Sequence, residues 1–237
     1  MESGGTAGGA GGAGGGGASA PVLRVACVCA SNMNRSMRAH GRLAEDFAAG
    51  TALGARLRLD LHSYGTGRHV KLPGPSAAEP NVYAFGTAYA AMRDELAARD
   101  RELYVRNGVL AMLERNARVK RAPERWQDRP LAEKYFDVVL TFDARVLEAI
   151  LDDIEASKTS DLVGESAGGC LRVCHVVNLN IKDNHEDSAA GAALASQFMA
   201  MLADRPADWP DAIDTIIQQF YRATGRTLFH TPATYCI

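Results

Sequence analysis

The chain is predicted to fold as an α/β domain of three layers, αβα, around a mostly parallel central sheet. Three observations carry that expectation. Short apolar runs alternate with helical periodicities along the chain, the order that builds βαβ units. Polar loops able to hold chemistry follow the carboxyl ends of the predicted strands, where open parallel sheets bind ligands. The chain has 237 residues, 47% of them hydrophobic, enough to enclose one sizeable core.

Residues 1–21 are dominated by Gly and Ala and lack the basic and apolar regions of a signal peptide. Such a segment buries too little surface to offset its ordering entropy, so a disordered tail is expected there, with one domain over 22–237. The first apolar run, Val22–Val28, reads as a buried strand, and Met37, Leu43, Ala44 and Phe47 share one side of a following helix. Residues 48–54 form a loose connection. Leu57–Tyr64 alternates apolar and polar and reads as a second strand. Gly65–Pro75 is a loop punctuated by Gly and Pro, locally basic through Arg68, His69 and Lys71.

Val82, Phe85, Tyr89, Met92 and Leu96 sit at helical spacing and predict a helix over Asn81–Arg99, with a short helical pair over Tyr104–Arg115. The basic run Arg115, Arg118, Lys120, Arg121, Arg125 and Arg129 is expected to be a solvated face. Phe136–Phe142 is a strand, and Asp143 can cap a helix over Ala144–Ala156. The polar, Gly-rich residues 157–170 are expected to be a mobile loop. A fourth strand over Leu171–Leu179 runs into the polar loop 180–187. Ser188–Ala203 is a helix broken by Pro206, and a last helix, Trp209–Thr224, stops at Gly225. Arg226–His230 is expected to add an edge strand.

Composition narrows the function classes. The formal net charge is −2, so no strongly basic surface suggests direct nucleic-acid binding. No apolar run approaches the length of a membrane span. The five Cys are sparse and uneven, which suits a reducing compartment better than a disulfide framework.

Chemistry concentrates in Cys29-Ala30-Ser31-Asn32-Met33-Asn34-Arg35-Ser36. A strand, a tight polar loop and a helix N-terminus in that order make an anion site, because backbone N–H groups converge there with the positive end of the helix dipole. The loop opens with a thiol and closes with a guanidinium, the pair needed to attack a bound phosphoryl group through sulfur. Thiols at helix N-termini beside Arg can have pKa values of ~3.5–7.5, which supplies the nucleophilic thiolate at neutral pH. Cys29 would carry a phosphocysteine intermediate. Arg35 would hold two phosphoryl oxygens in its planar fork, and the backbone and side chains of Ala30, Ser31, Asn32, Met33, Asn34 and Ser36 would complete the phosphate loop. Ser36 can donate to the sulfur. Asn32 tolerates the left-handed geometry of a tight curve. Loops 29–36, 65–75 and 180–184 all leave strand carboxyl ends and can meet in one cleft. An alkoxide leaving group needs an acid, and Asp183 is the best candidate, favoured over the alternative that Asp183-Asn184 caps the following helix.

These residues resemble a known family, the phosphatase of the RNA polymerase II carboxy-terminal domain, which has the low-molecular-weight tyrosine-phosphatase-like fold. The likeness runs through Val25–Met37, Gly65–Pro75, Pro80–Tyr83, Glu102–Tyr104, Pro123–Arg125, His175–Asn178, Asp183–Glu186 and Gly225–Thr227. It implies a serine phosphatase acting on the fifth-position phosphoserine of the heptad repeat, with the bond from that serine to the following proline in its cis form. It also implies Cys29 as nucleophile, Arg35 as phosphate ligand and Asp183 as general acid. Lys71, Leu72, Pro73 and Met112 match positions that shape the pocket for the proline. The family works in the nucleus, in mRNA 3′-end processing and transcription termination, bound to a scaffold subunit of the cleavage and polyadenylation machinery. It implies no metal or other cofactor. Where the family usually has a second Asp in the acid loop, this chain has Asn180, and insertions lie around 48–60 and 157–170.

Other function classes remain. A thiol redox enzyme such as an arsenate reductase shares the fold and would use a second Cys pair, for which Cys170 and Cys174 are available. A zinc site from Cys27, Cys29, Cys170 and Cys174 would consume the nucleophile. Cys27 is expected to be core, since adjacent same-face strand residues seldom reach disulfide geometry. A non-catalytic scaffold subunit is the third class.

Overall fold

A computed structural model describes residues 20–76, 78–129, 135–163 and 171–236. Residues 1–19 of the expected tail therefore lie outside the described residues. Five strands form the main sheet: β1 (Val22–Cys29), β2 (Arg58–Gly65), β5 (Val138–Thr141), β6 (Leu171–Asn178) and β7 (Phe229–Cys236). Their order is β2-β1-β5-β6-β7, parallel except for antiparallel β7 at the edge. A separate antiparallel pair joins β3 (Val70–Leu72) to β4 (Asn81–Tyr83).

Three apolar clusters give the layers. On one face, α1 (Arg35–Asp46), α5 (His185–Ala203) and α6 (Trp209–Thr224) pack Leu43, Phe198, Met199 and Phe220 against Val25, Cys27 and Leu140 of the sheet. On the other face, α4 (Ala144–Val163) sets Val146, Ile150 and Ile154 against Val28, Val139 and Val176, beside Trp126 and Phe136. This burial on both faces explains why β1 and β5 are almost unbroken apolar runs. The third cluster caps one end. There α2 (Tyr89–Arg106), α3 (Val109–Val119) and the β3–β4 pair enclose Met33 and Met37. The αβα architecture expected of the chain is the one observed. Among the described residues no helix is long and apolar enough to cross a membrane.

Several local expectations need correction. Residues 81–83 are strand β4, not the start of a helix, and α2 begins only at Tyr89. Pairing with Val70–Leu72 outweighs the helical spacing: Asn81 bonds the Pro73 carbonyl and Tyr104 Oη through its amide, and Val82 is exposed. The loop 65–75 correspondingly contains β3. The α2 helix breaks at Asp100, whose carboxylate caps the next turn by accepting from Leu103 N (2.9 Å). Residues 157–163 continue α4 instead of forming a loop, while 164–170 lie outside the described residues. The edge strand is longer than expected and reaches Cys236.

The basic run is also not simply a solvated face. Arg129 is buried against the Trp126 ring at 3.4 Å and pairs with Asp153. Arg115 bonds the Met33 carbonyl, and Arg125 Nε donates to the Gly67 carbonyl (3.0 Å). Their long stems cover apolar surface while the heads tie loops together. Arg118 and Arg121 are the members that do remain exposed.

Candidate active site

β1 ends at Cys29 and α1 begins at Arg35, so residues 30–34 make the whole turn between them. The turn is held by side chains, which leaves main-chain amides for a ligand. Asn32 has φ +51°, the one left-handed non-glycine among the described residues, and is wholly buried. Its Oδ1 accepts from Glu124 N (3.0 Å) and its carbonyl accepts from Tyr89 Oη (2.7 Å). The Met33 side chain sits in the capping core, and its carbonyl takes Asn116 Nδ2 at 2.6 Å. Ser31 Oγ accepts from Lys71 N (3.3 Å). Among the described residues, no protein acceptor takes the backbone N–H of residues 30–34. Amides left open this way at the start of a helix suit an anion.

Close approach from β2 completes the turn. Thr66 N donates to the Cys29 carbonyl (3.0 Å) and Gly67 N to the Ala30 carbonyl (2.8 Å). A Cβ on Gly65 would lie 2.8 Å from both Ala30 O and Asn32 N. Gly65→Ala is therefore expected to push the turn off its anion-binding shape, with a stability loss of about 1–3 kcal/mol and a larger proportional fall in turnover. Thermal denaturation beside a phosphatase assay checks this, and equal small losses in both would contradict it.

The sulfur faces a hydroxyl. Cys29 Sγ lies 3.0 Å from Ser36 Oγ, and Asn32 Nδ2 donates to the same Oγ at 3.1 Å. With Asn32 donating to that oxygen, the Ser36 hydroxyl keeps its proton available to a Cys29 thiolate, which such a bond stabilises.

Arg35 is only 5% exposed, so its charge must be well partnered. Nη1 donates to the Phe142 and Ile181 carbonyls, both at 2.9 Å, and contacts Asp143 Oδ2 at 3.3 Å. Nη2 reaches Asp183 Oδ2 at 3.4 Å, and Nε is buried with no partner among the described residues. Nε and Nη2 lie on the same edge of a guanidinium. That edge is the fork available for two phosphoryl oxygens.

Asp183 lies at the mouth of the same cleft, 54% exposed. Asn34 Nδ2 donates to its Oδ1 (3.0 Å) and to the Asn184 carbonyl (3.1 Å). The helix cap is Asn184, whose side chain accepts from Asp187 N (2.8 Å). Asp183 is thus free of capping duty, which removes the capping alternative for that residue. Asn180 does not leave the loop loose. Its Oδ1 accepts from Asn178 Nδ2 (3.2 Å), its carbonyl from Arg226 Nη2 (3.3 Å), and Ile181 N bonds the Phe142 carbonyl.

The cleft, about 350 Å³, gathers Cys29, Ser31, Met33 and Asn34 with Lys71, Leu72, Pro73, Met112 and Asp183. Sequence reasoning had no signal for Asn107, Gly108 and Val109, which also line it. A left-handed Gly108 (φ +78°) turns the chain there between α2 and α3. It likewise took Asp143 only as a cap. Asp143 does cap, accepting from Arg145 N (3.0 Å), but its other oxygen meets Arg35. Its place just past the carboxyl end of β5 was the usable clue.

The remaining thiols are built differently. Cys27 is fully buried in the core between the sheet and α1, and burial pushes its thiol well up. Cys174 is buried on the other face, its thiol pushed up to about 12 by burial. Neither has thiolate character for a redox relay. Cys170 lies outside the described residues. Among the described residues no group of three His, Cys, Asp or Glu could hold a metal ion.

Comparison with known proteins identifies relatives over most of the chain. A family model described as Ssu72-like protein matches residues 23–235. The RNA polymerase II C-terminal domain phosphatase SSU72 of Homo sapiens is 39% identical over 213 residues, covering 90% of this chain and 97% of that protein. Its counterpart in Dictyostelium discoideum is 38% identical over 212 residues, covering 90% of each. A crystal structure of D. melanogaster Ssu72 with Symplekin, bound to a cis peptidomimetic CTD peptide phosphorylated on the fifth-position serine, superposes with TM-score 0.75 and 37% identity. It covers 90% of this chain and 98% of that one.

Proposed function

This chain belongs to the Ssu72-like protein family, and on that premise we propose that it is a cysteine-dependent phosphatase of the RNA polymerase II carboxy-terminal domain. Its substrate is the fifth-position phosphoserine of the heptad repeat, followed by a cis proline. Residues 22–237 act as one catalytic domain. The observation that carries the reading is that Cys29 and Asp183 line one cleft and the Arg35 guanidinium reaches Asp183 at 3.4 Å, although residue 183 is far from the other two in sequence.

The geometry implies a two-step reaction. The phosphoryl group enters the turn 30–36, where main-chain amides and the Nε–Nη2 edge of Arg35 take its oxygens. A phosphoryl oxygen at Nη2 displaces the Asp183 carboxyl from that nitrogen, so the acid can meet the seryl oxygen. Cys29 Sγ attacks phosphorus, the P–O bond to serine breaks, and Asp183 gives its proton to the leaving alkoxide. In the second step Asp183 takes a proton from water, the oxygen attacks phosphocysteine, and the thiolate leaves toward the Ser36 hydroxyl 3.0 Å away. Positioning and charge stabilisation by the turn supply most of the acceleration, as in other phosphoryl transfers. Leu72, Pro73, Met112 and Val109 form the apolar wall against which the substrate proline packs, with Lys71 beside it.

The solved D. melanogaster relative was crystallised with Symplekin. By likeness, this protein works in the nucleus against the corresponding scaffold subunit of the 3′-end processing machinery. The deciding assay is phosphate release from heptad peptides phosphorylated at one serine at a time, with and without chelator. Release is expected from the fifth-position phosphoserine and to be indifferent to chelator. Preference for another serine, or release abolished by chelator, would contradict the proposal.

A further inference from the structure

Beside the catalytic cleft lies a second groove of about 550 Å³, between α1, α3 and α5. Four arginines line it, Arg38 and Arg42 from α1 and Arg115 and Arg118 from α3, against one acid, Glu45. Two of the four are balanced: Arg42 pairs with Asp46 and Arg118 with Glu114. The other two are not. Among the described residues no carboxylate pairs with Arg38 or Arg115. Arg38 Nη2 lies 3.1 Å from His185 Nδ1, and its Nε is buried with no partner among the described residues. Among the described residues, Arg115 donates only to the Met33 carbonyl and the Asn116 amide oxygen. Burial, and then the Arg38 charge beside it, pull the Arg115 guanidinium down to about 10. Two partly buried like charges facing one groove are unfavourable unless an anion joins them. The groove also abuts the cleft, since His185 and Met33 line the cleft and are held from the groove side by Arg38 and Arg115.

We propose that this groove binds a second phosphoryl group, carried on the same substrate peptide as the one in the catalytic turn. The inference rests on the phosphatase reading above. A repeat substrate brings such a group within reach without further assumption: an equivalent phosphoserine one heptad away is at most about 25 Å along extended chain. Arginine forks are the side chains suited to take it. The groove therefore makes the enzyme sensitive to how densely its substrate is phosphorylated.

Binding to the Cys29→Ser protein tests this, using a singly phosphorylated heptad peptide and versions with a second phosphoserine placed before or after the reactive one. At least one doubly phosphorylated peptide is expected to bind about tenfold more tightly, the scale of one charge-assisted Arg–phosphate contact. Added Arg38→Gln or Arg115→Gln should each remove most of that gain, with singly phosphorylated binding in the same variant as reference. Asn116 still holds the Met33 carbonyl when Arg115 is changed, and if that variant does not fold, Arg38→Gln decides alone. Equal affinity for singly and doubly phosphorylated peptides overturns the proposal, even if inorganic phosphate binds the groove. So does a gain that survives the Arg38 change. Failure of the underlying reading shows separately, as absent turnover of the singly phosphorylated peptide by the unmodified protein.

Discussion

Replacing Cys29 by serine is expected to abolish turnover, by roughly 10⁴-fold or more, while leaving the fold and the phosphate site in place. The Cys29 residue is 2% exposed, at the end of a central strand, and the substitution keeps volume and hydrogen bonding to Ser36 Oγ. A hydroxyl lacks thiolate character at neutral pH, so the nucleophile is lost but the cradle is not. Vanadate or a phosphopeptide should still bind, and no phosphoenzyme should accumulate after acid quench. Activity that survives the change would end the phosphocysteine mechanism.

The second large effect concerns Asp183. Asp183→Asn is expected to lower kcat on a phosphoserine peptide by roughly 10²–10⁴-fold, because the amide cannot protonate the seryl alkoxide. The loss should shrink on an aryl phosphate, whose leaving oxygen is stable without a proton. This contrast separates acid catalysis from structural damage, since damage would depress both substrates alike. Stability should hardly change, because Asn184 and not Asp183 caps α5. Burst kinetics on the aryl substrate give the rate of the second step, where the same carboxylate serves as base. Equal losses on both substrates would show that residue 183 is not the proton donor.

The legible part of this protein was the part whose chemistry is local. The turn from β1 to α1 carries its nucleophile, its guanidinium and its left-handed Asn32 within one short stretch, and the strand and helix on either side are strongly periodic. Asp183 could be found because it follows a strand aimed at the same edge of the sheet. What escaped were contacts between residues far apart in the chain. Asn116 on the Met33 carbonyl, Tyr89 on the Asn32 carbonyl and Asp143 on Arg35 leave no mark in spacing. The β3–β4 pair escaped for another reason. Three-residue strands have too few positions to show a period, and a helical spacing over 82–96 masked them. Likewise, the cationic run 115–129 looked like ordinary surface because charge alone does not say which heads find carbonyls.

One arrangement bears on how loss-of-function variants of this protein should be read. The guanidinium at residue 35 recognises substrate with one edge, while its opposite nitrogen fastens two loops, through the carbonyls of Phe142 and Ile181. Deleting it would therefore unclasp the rim of the sheet as well as remove a ligand. An alanine there makes a poor inactive control in cells, since low protein abundance and lost catalysis would be indistinguishable. The serine at 29 removes chemistry and spares the clasp.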